Sequence, residues 1–97
     1  MIIAELAVFP TSEGSSVSTY VKEVIRTIEH SGLKSITGGM STVIESPDLK
    51  TLFGLIEETD KVLVKMGAKR IHVDLRIDHR LDKEATVKTK LQAVEKA

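Results

Sequence analysis

The residues best equipped for chemistry lie together near the end of the chain: His72, Asp74, Arg76, Asp78, His79 and Arg80 within KRIHVDLRIDHRLDK. Imidazoles and carboxylates ligate zinc and manganese. His72 and Asp74, two residues apart, share one face of a strand. Arg76 follows on that face and pairs with a carboxylate first, so the row reads as an ion-pair face between subunits rather than a metal site. Asp78 accepts hydrogen bonds and Arg80 offers a planar fork of donors; the pair suits a ligand, or pins the exit of the strand. Glu5 and Asp74 form a pair of carboxylates without a nucleophile. Ser15, Ser16 and Ser18 have no adjacent His–Asp pair, and Ser16 or Ser18 suits a helix cap. Gly38-Gly39 lacks the Lys and the helix start of a phosphate loop. His30 suits the negative end of a helix. We therefore expect no catalytic residue, no metal and no resident cofactor.

These side chains must be positioned by short, regular elements. Residues 70–78 alternate, with Ile71, Val73, Leu75 and Ile77 on one face and His72, Asp74, Arg76 and Asp78 on the other, which predicts a strand over a core. Residues 2–9 predict another strand, stopped at Pro10. Ile2, Ala4, Leu6 and Val8 face its core; Ile3, Glu5, Ala7 and Phe9 face away. Val17, Tyr20, Val21, Val24, Ile25 and Ile28 follow helical spacing up to about Ser31, with Gly32 beyond. Residues 34–40 and 41–46 predict a weak and a better strand, and Gly38-Gly39 makes a hairpin turn or a bulge. Residues 48–66 predict the longest helix, with Leu49, Leu52, Phe53, Ile56, Leu63 and Met66 inward, Leu55 and Val62 widening the stripe, and Thr59 or Asp60 filling a turn. A charged helix over 84–95 carries Val87, Leu91 and Val94.

The order β-α-β-β-α-β followed by a C-terminal helix predicts an α+β, ferredoxin-like fold. Its four-stranded antiparallel sheet would have both main helices on one face. The other face then holds Ile3, Ala7 and Phe9 beside His72, Asp74 and Arg76, a mixed surface that suits a subunit or a ligand.

Ninety-seven residues make one domain, 1–97. Lys+Arg 14 balances Asp+Glu 14, which argues against a nucleic-acid binder. Aromatics are 3%, so there is no stacking series for bases and the core must be aliphatic. Without Cys, disulfides and thiolate sites are excluded. No apolar run is long enough to span a membrane, and residues 1–10 do not read as a signal peptide. A cytoplasmic location is expected.

IAELAVFP, GSSVSTYV, MSTVIE and GAKRIHVDLRIDHRLDK together are similar to the thiamine-binding protein family of small ferredoxin-like domains, across nearly the whole chain. That resemblance implies homo-oligomers, commonly tetramers packed through sheet faces, and binding of thiamine or its pyrimidine moiety without turnover. Carried over motif by motif, the ligand site would draw on Ser16, Ser18, Thr42, Glu45, Asp78 and Arg80. A carboxylate such as Glu45 or Asp78 balances the thiazolium, and Phe9 supplies a flat wall. Thr42 and Glu45 have opposite strand parity and would meet in one pocket only across a bulge or strand end. Glu5, His72, Asp74 and Arg76 are the expected oligomer interface. The sequence departs from the family in the turn, where Gly38-Gly39 replaces a Thr-Pro pair. The alternative is a structural or interaction module whose charged last strand is only a subunit interface.

Overall fold

The computed structural model describes residues 1–14, 17–82, 84 and 86–96. Strand β1 (Ile2–Pro10) leads through a loop to helix α1 (Ser18–Glu29), the short β2 (Ser35–Thr37), β3 (Thr42–Ser46), helix α2 (Leu49–Lys65), β4 (Ile71–His79) and helix α3 (Val87–Lys96). The sheet order is β2-β3-β1-β4 and every pairing is antiparallel. This is the expected ferredoxin-like arrangement.

Alternation in β1 builds the core. Ile2, Ala4, Leu6 and Val8 are buried on the face that packs on α1 and α2. Val24 and Ile28 of α1, Leu52, Leu55 and Leu63 of α2, and Ile44 of β3 close over them. The close-packed interior is aliphatic, so a single truncation leaves a void its neighbours fill only in part.

Three local expectations are corrected. The N-cap of α1 is Val17, without a side-chain cap, and Ser18 is the first helical residue. In α2, Leu49 and Phe53 are exposed, while Leu55 and Thr59 are buried. Apolar residues span a broad arc of this helix, and packing selected the 52/55/59/63 edge of it. The Thr59 hydroxyl bonds to the Ile56 carbonyl at 2.7 Å, which makes it tolerable in the core. In β4, Ile71 and Leu75 are half-buried, but Val73 and Ile77 are exposed. Their alternation is as expected; the strand lies at the sheet edge, where α1 and α2 do not cover it fully.

The turns are chemically explicit. Asp48 caps α2 by accepting the Thr51 N–H at 2.7 Å, and that hydrogen bond holds its carboxyl below the usual range. Gly67 follows the C-cap of α2 at φ +96°, a conformation open to glycine. Between β2 and β3 the chain turns through residues 38–41, closed by the Gly38 N–H on the Ser41 carbonyl at 2.8 Å. The Gly pair thus makes a hairpin turn. A Cβ at Gly38 would sit 3.3 Å from the Ser41 oxygen, which ties the position to a small residue.

Candidate functional site

β1 is longer than its neighbour on one side. β3 pairs with residues 2–6, whereas residues 7–10 pair with β4 alone. The β2–β3 turn and the start of α1 close around this unaccompanied end. They leave a cleft of about 200 Å³ lined by Phe9, Val17, Val21, Thr37, Gly38, Gly39, Met40, Ser41 and Thr42, with core residues beneath. The walls are apolar side chains and three hydroxyls. The Thr42 hydroxyl is buried and points to Thr37 at 3.5 Å, a weak contact that leaves its hydrogen-bonding capacity largely unspent. No charged side chain lines the cleft among the described residues.

A second recess, of about 290 Å³, opens on the uncovered sheet face between Glu5, Ala7, Met40, Ser41, Asp74, Leu75 and Arg76. Ala7, Met40 and Ser41 border both hollows. The Ser41 hydroxyl donates to Glu5 Oε2 at 3.0 Å, so a carboxylate stands just past the rim of the neutral cleft. Met40, solvent-exposed in the turn, flanks both. A larger groove between α1 and α2, about 590 Å³, runs past Arg26, His30, Gly54 and Glu58. It holds none of the expected ligand or interface residues.

The expected ligand residues divide into three places. Phe9 and Thr42 border the neutral cleft. Ser18 sits at the adjoining start of α1, exposed, and Ser16 lies outside the described residues. Glu45 and Asp78 lie on the opposite, open face, both in register with Ile3. β3 pairs without a bulge, so Thr42 and Glu45 do not meet. Helix α3 has taken both carboxylates instead. Glu45 Oε1 accepts the Val87 N–H at 2.7 Å, at the first turn of α3. This amide has no partner within the helix, and the positive helix end favours the charge. Thr86 and Thr89 exchange hydrogen bonds at 2.8 and 3.1 Å and cap the same turn. Asp78 pairs with Lys90 one turn on; that contact, before any other, holds its carboxyl below the usual range. Ile3 is buried despite facing the open side of the sheet. Arg80 turns away and grips Asp82 with two donors at 2.7 and 3.2 Å, which raises its pKa further. The expected Asp78–Arg80 partnership is therefore replaced by two others.

The expected interface residues do share the open face. Phe9 stands beside His72 with ring centroids 5.0 Å apart, and Ala7 and Glu5 pair in register with Asp74 and Arg76. His72 Nε2 lies 3.7 Å from Asp74. Among the described residues, no three His, Asp or Glu gather closely enough to hold a metal. Sequence reasoning missed the lining roles of Val17, Val21, Thr37 and Ser41 and the contact of Ser41 with Glu5. The one signal available was an exposed-type Met beside two glycines, in the turn that forms the cleft wall.

Fold and cleft together define a small ferredoxin-like α+β protein with a neutral pocket at one end of its sheet. The chain belongs to the thiamine-binding protein family, whose model matches residues 4–95. It is 36% identical over 93 residues to UPF0045 protein MJ1052 of Methanocaldococcus jannaschii, covering 96% of this chain and 91% of the relative. It is 33% identical over 101 residues to UPF0045 protein YqgV of Bacillus subtilis, covering 99% and 96%. The crystal structure of MJ1052 superposes with a TM-score of 0.86 over 99% of this chain and 97% of that one. A Thermotoga maritima protein described as a candidate for thiamine biosynthesis or salvage shares the fold at 22% identity, with a TM-score of 0.83 over 96% and 97%. Among the described residues no helix is long and apolar enough to cross a membrane.

Proposed function

We propose that this protein binds thiamine, or the aminopyrimidine moiety of thiamine, without turning it over, as a cytoplasmic homo-oligomer packed through its open sheet face. The observation that carries the reading is the neutral cleft at the unaccompanied end of β1. An aminopyrimidine has two flat apolar faces and an edge of donors and acceptors. Phe9, Val17 and Val21 suit the faces; the hydroxyls of Thr37, Ser41 and Thr42 suit the edge. About 200 Å³ is below the roughly 300 Å³ of an ordinary ligand pocket, so one ring fits and a second must extend past Ser41. There Glu5 offers a carboxylate to the thiazolium cation. The family membership supports the same ligand class.

Isothermal titration with thiamine and with the free hydroxymethyl-aminopyrimidine tests this. Both should bind, and Glu5→Gln should weaken thiamine while leaving the neutral pyrimidine unchanged. Absence of heat and of a thermal shift with both ligands at millimolar concentration would refute the reading. Mass spectrometry of thiamine after long incubation should return it unaltered. A second reading, an interaction module without a small ligand, is favoured by one observation: Glu45 and Asp78 are already engaged by α3. It predicts loss of assembly, with no ligand effect, when β4 charges are removed.

A further inference from the structure

In an antiparallel ladder the N–H and C=O of one residue point to the same side, and successive residues point to opposite sides. Two hydrogen bonds fix those sides here. The Thr11 N–H, just past β1, donates to the Arg70 carbonyl at 2.9 Å, so the odd-numbered residues of β1 turn their backbone to β4. The Glu45 N–H donates to the Lys34 carbonyl at 2.9 Å, so odd-numbered residues of β3 turn to β2 and even-numbered ones to β1. Leu6 and Thr42 are therefore the last hydrogen-bonded rung between β1 and β3. The next even-numbered residue is Val8. Continued, the register would set Met40 opposite it, but Met40 stands out in the turn, 92% exposed.

Val8 thus aims a backbone donor and a backbone acceptor into the neutral cleft that it helps to line. Neither group has a hydrogen-bond partner among the described residues. The neighbouring hydroxyls do not serve them, since Ser41 donates to Glu5 and Thr42 points to Thr37. Val8 is 4% exposed, and buried backbone groups without a partner are rare because they are costly. Pro10, the next residue on that side, has no N–H. Val8 alone therefore sets a donor beside an acceptor at this end of β1.

We propose that the backbone N–H and C=O of Val8 are the specificity-determining groups of the cleft, reading the edge of a planar ligand on which a donor adjoins an acceptor. This recognition rests on the reading of the cleft as a pyrimidine site. On an aminopyrimidine the edge consists of the amino group and the ring nitrogen beside it. The amino N–H donates to the Val8 carbonyl, and the Val8 N–H donates to the ring nitrogen. The ring then lies in the plane of the sheet, in place of the missing rung. One of its faces meets Val17 and Val21 of α1, and the other meets Phe9 on the open side. A neutral edge read by backbone needs no charged side chain, which suits a cleft lined by none among the described residues. A 4-oxo-pyrimidine carries the reverse order, a ring N–H beside a carbonyl. It sets donor against donor and acceptor against acceptor unless it turns over, and turning over carries the large substituent of thiamine away from Ser41 and Glu5.

The experiment is amide hydrogen exchange by NMR on the native chain, alone and with thiamine or the free hydroxymethyl-aminopyrimidine, together with titration of the 4-oxo analogue of thiamine. Without ligand, the Val8 amide should exchange at least about tenfold faster than those of Ala7 and Phe9 beside it, which are bonded to β4. Saturating ligand should slow Val8 by at least about tenfold more than it slows Ala7 and Phe9, so that a general gain in stability is not mistaken for a local bond. The 4-oxo analogue should bind about a hundredfold more weakly than thiamine, two hydrogen bonds at roughly tenfold each. A Val8 amide already as protected as its neighbours in the free chain, or equal affinity for the 4-oxo analogue, would overturn the inference. Binding of either aminopyrimidine with no selective change at Val8 overturns it too, and leaves the thiamine reading standing. If neither compound binds, both fall together.

Discussion

β1 and β4 are both nine residues long, both alternate, and are paired with each other residue for residue. Yet Ile2, Ala4, Leu6 and Val8 of β1 are buried, while Val73 and Ile77 of β4 face solvent. Composition does not explain this, since Val73 and Ile77 are as apolar as Val8 and Ile2. Place in the sheet does. β1 has a strand on each side along residues 2–6 and two helices over it; β4 has a neighbour on one side. The central strand therefore carries stability, and the edge strand is left with unspent hydrogen bonds and charges. The neutral cleft sits where β1 itself loses one neighbour.

That contrast is open to direct attack, and the strongest blow falls on the centre. Leu6→Ala should lower unfolding stability in urea by about 2–5 kcal/mol, because it empties a close-packed site. Val73→Ala, at protein concentrations too low for association, should stay within roughly 0.5 kcal/mol, as surface changes do. Equal losses at the two positions would show that β1 and β4 do not differ as described.

Next in size is a change at the β1 end that should move binding more than folding. Thr42→Val removes a hydroxyl whose present contact is weak. It should weaken pyrimidine binding by up to about tenfold, the value of one hydrogen bond. Isothermal titration reads the affinity and a urea melt the stability. A larger effect on stability than on affinity would remove Thr42 from the ligand site.

A smaller effect is expected on the open face. Glu45→Gln leaves the Val87 N–H with a neutral acceptor. Amide exchange should speed up in α3 by a factor of about 2–5, the weight of a charge at a helix start, and leave β1 unchanged. Leu91 and Val94 of α3 are 57% and 73% exposed, so little else holds this helix down.

The gentlest perturbation is acid. The Asp78 carboxyl, held charged mainly by its hydrogen bond from Lys90, has a folded-state pKa below its ordinary 3.8. A group depressed in this way stabilises the docked helix fully above the unfolded value, and the contribution is lost as pH falls from there through the folded value. Protection of α3 should therefore decline below about pH 4, and Lys90→Met should abolish that decline. Asp48 responds with the same sign at the start of α2.

Much of the frame was legible beforehand. Alternation in residues 2–9 and 70–78 and helical spacing in 48–66 marked three elements to within one or two residues. Asp48 and Gly67 announced the ends of α2. The site was less legible, because its parts are far apart in sequence. Phe9 and Thr42 border one cleft because β1 runs on past its last pairing with β3, Leu6 with Thr42, and Val17 and Val21 of the α1 start line the same cleft. Glu45 and Asp78 looked available to a ligand because nothing local reveals that α3 returns across the sheet to claim them. Ser18 looked like a cap by residue type, but the helix starts one residue earlier than that role needs, with Ser18 already inside it.

Local physics settled what could be settled locally. Alternation and helical period, together with turn residues of known backbone preference, determine which segments are strands or helices and which residues share a face. Tertiary structure alone decided which strand became the centre of the sheet and which the edge. It also decided which carboxylates stayed free and where a neutral cleft opened. Burial and hydrogen-bond partnership depend on neighbours brought together across tens of residues, and a one-dimensional pattern does not contain the identity of those neighbours.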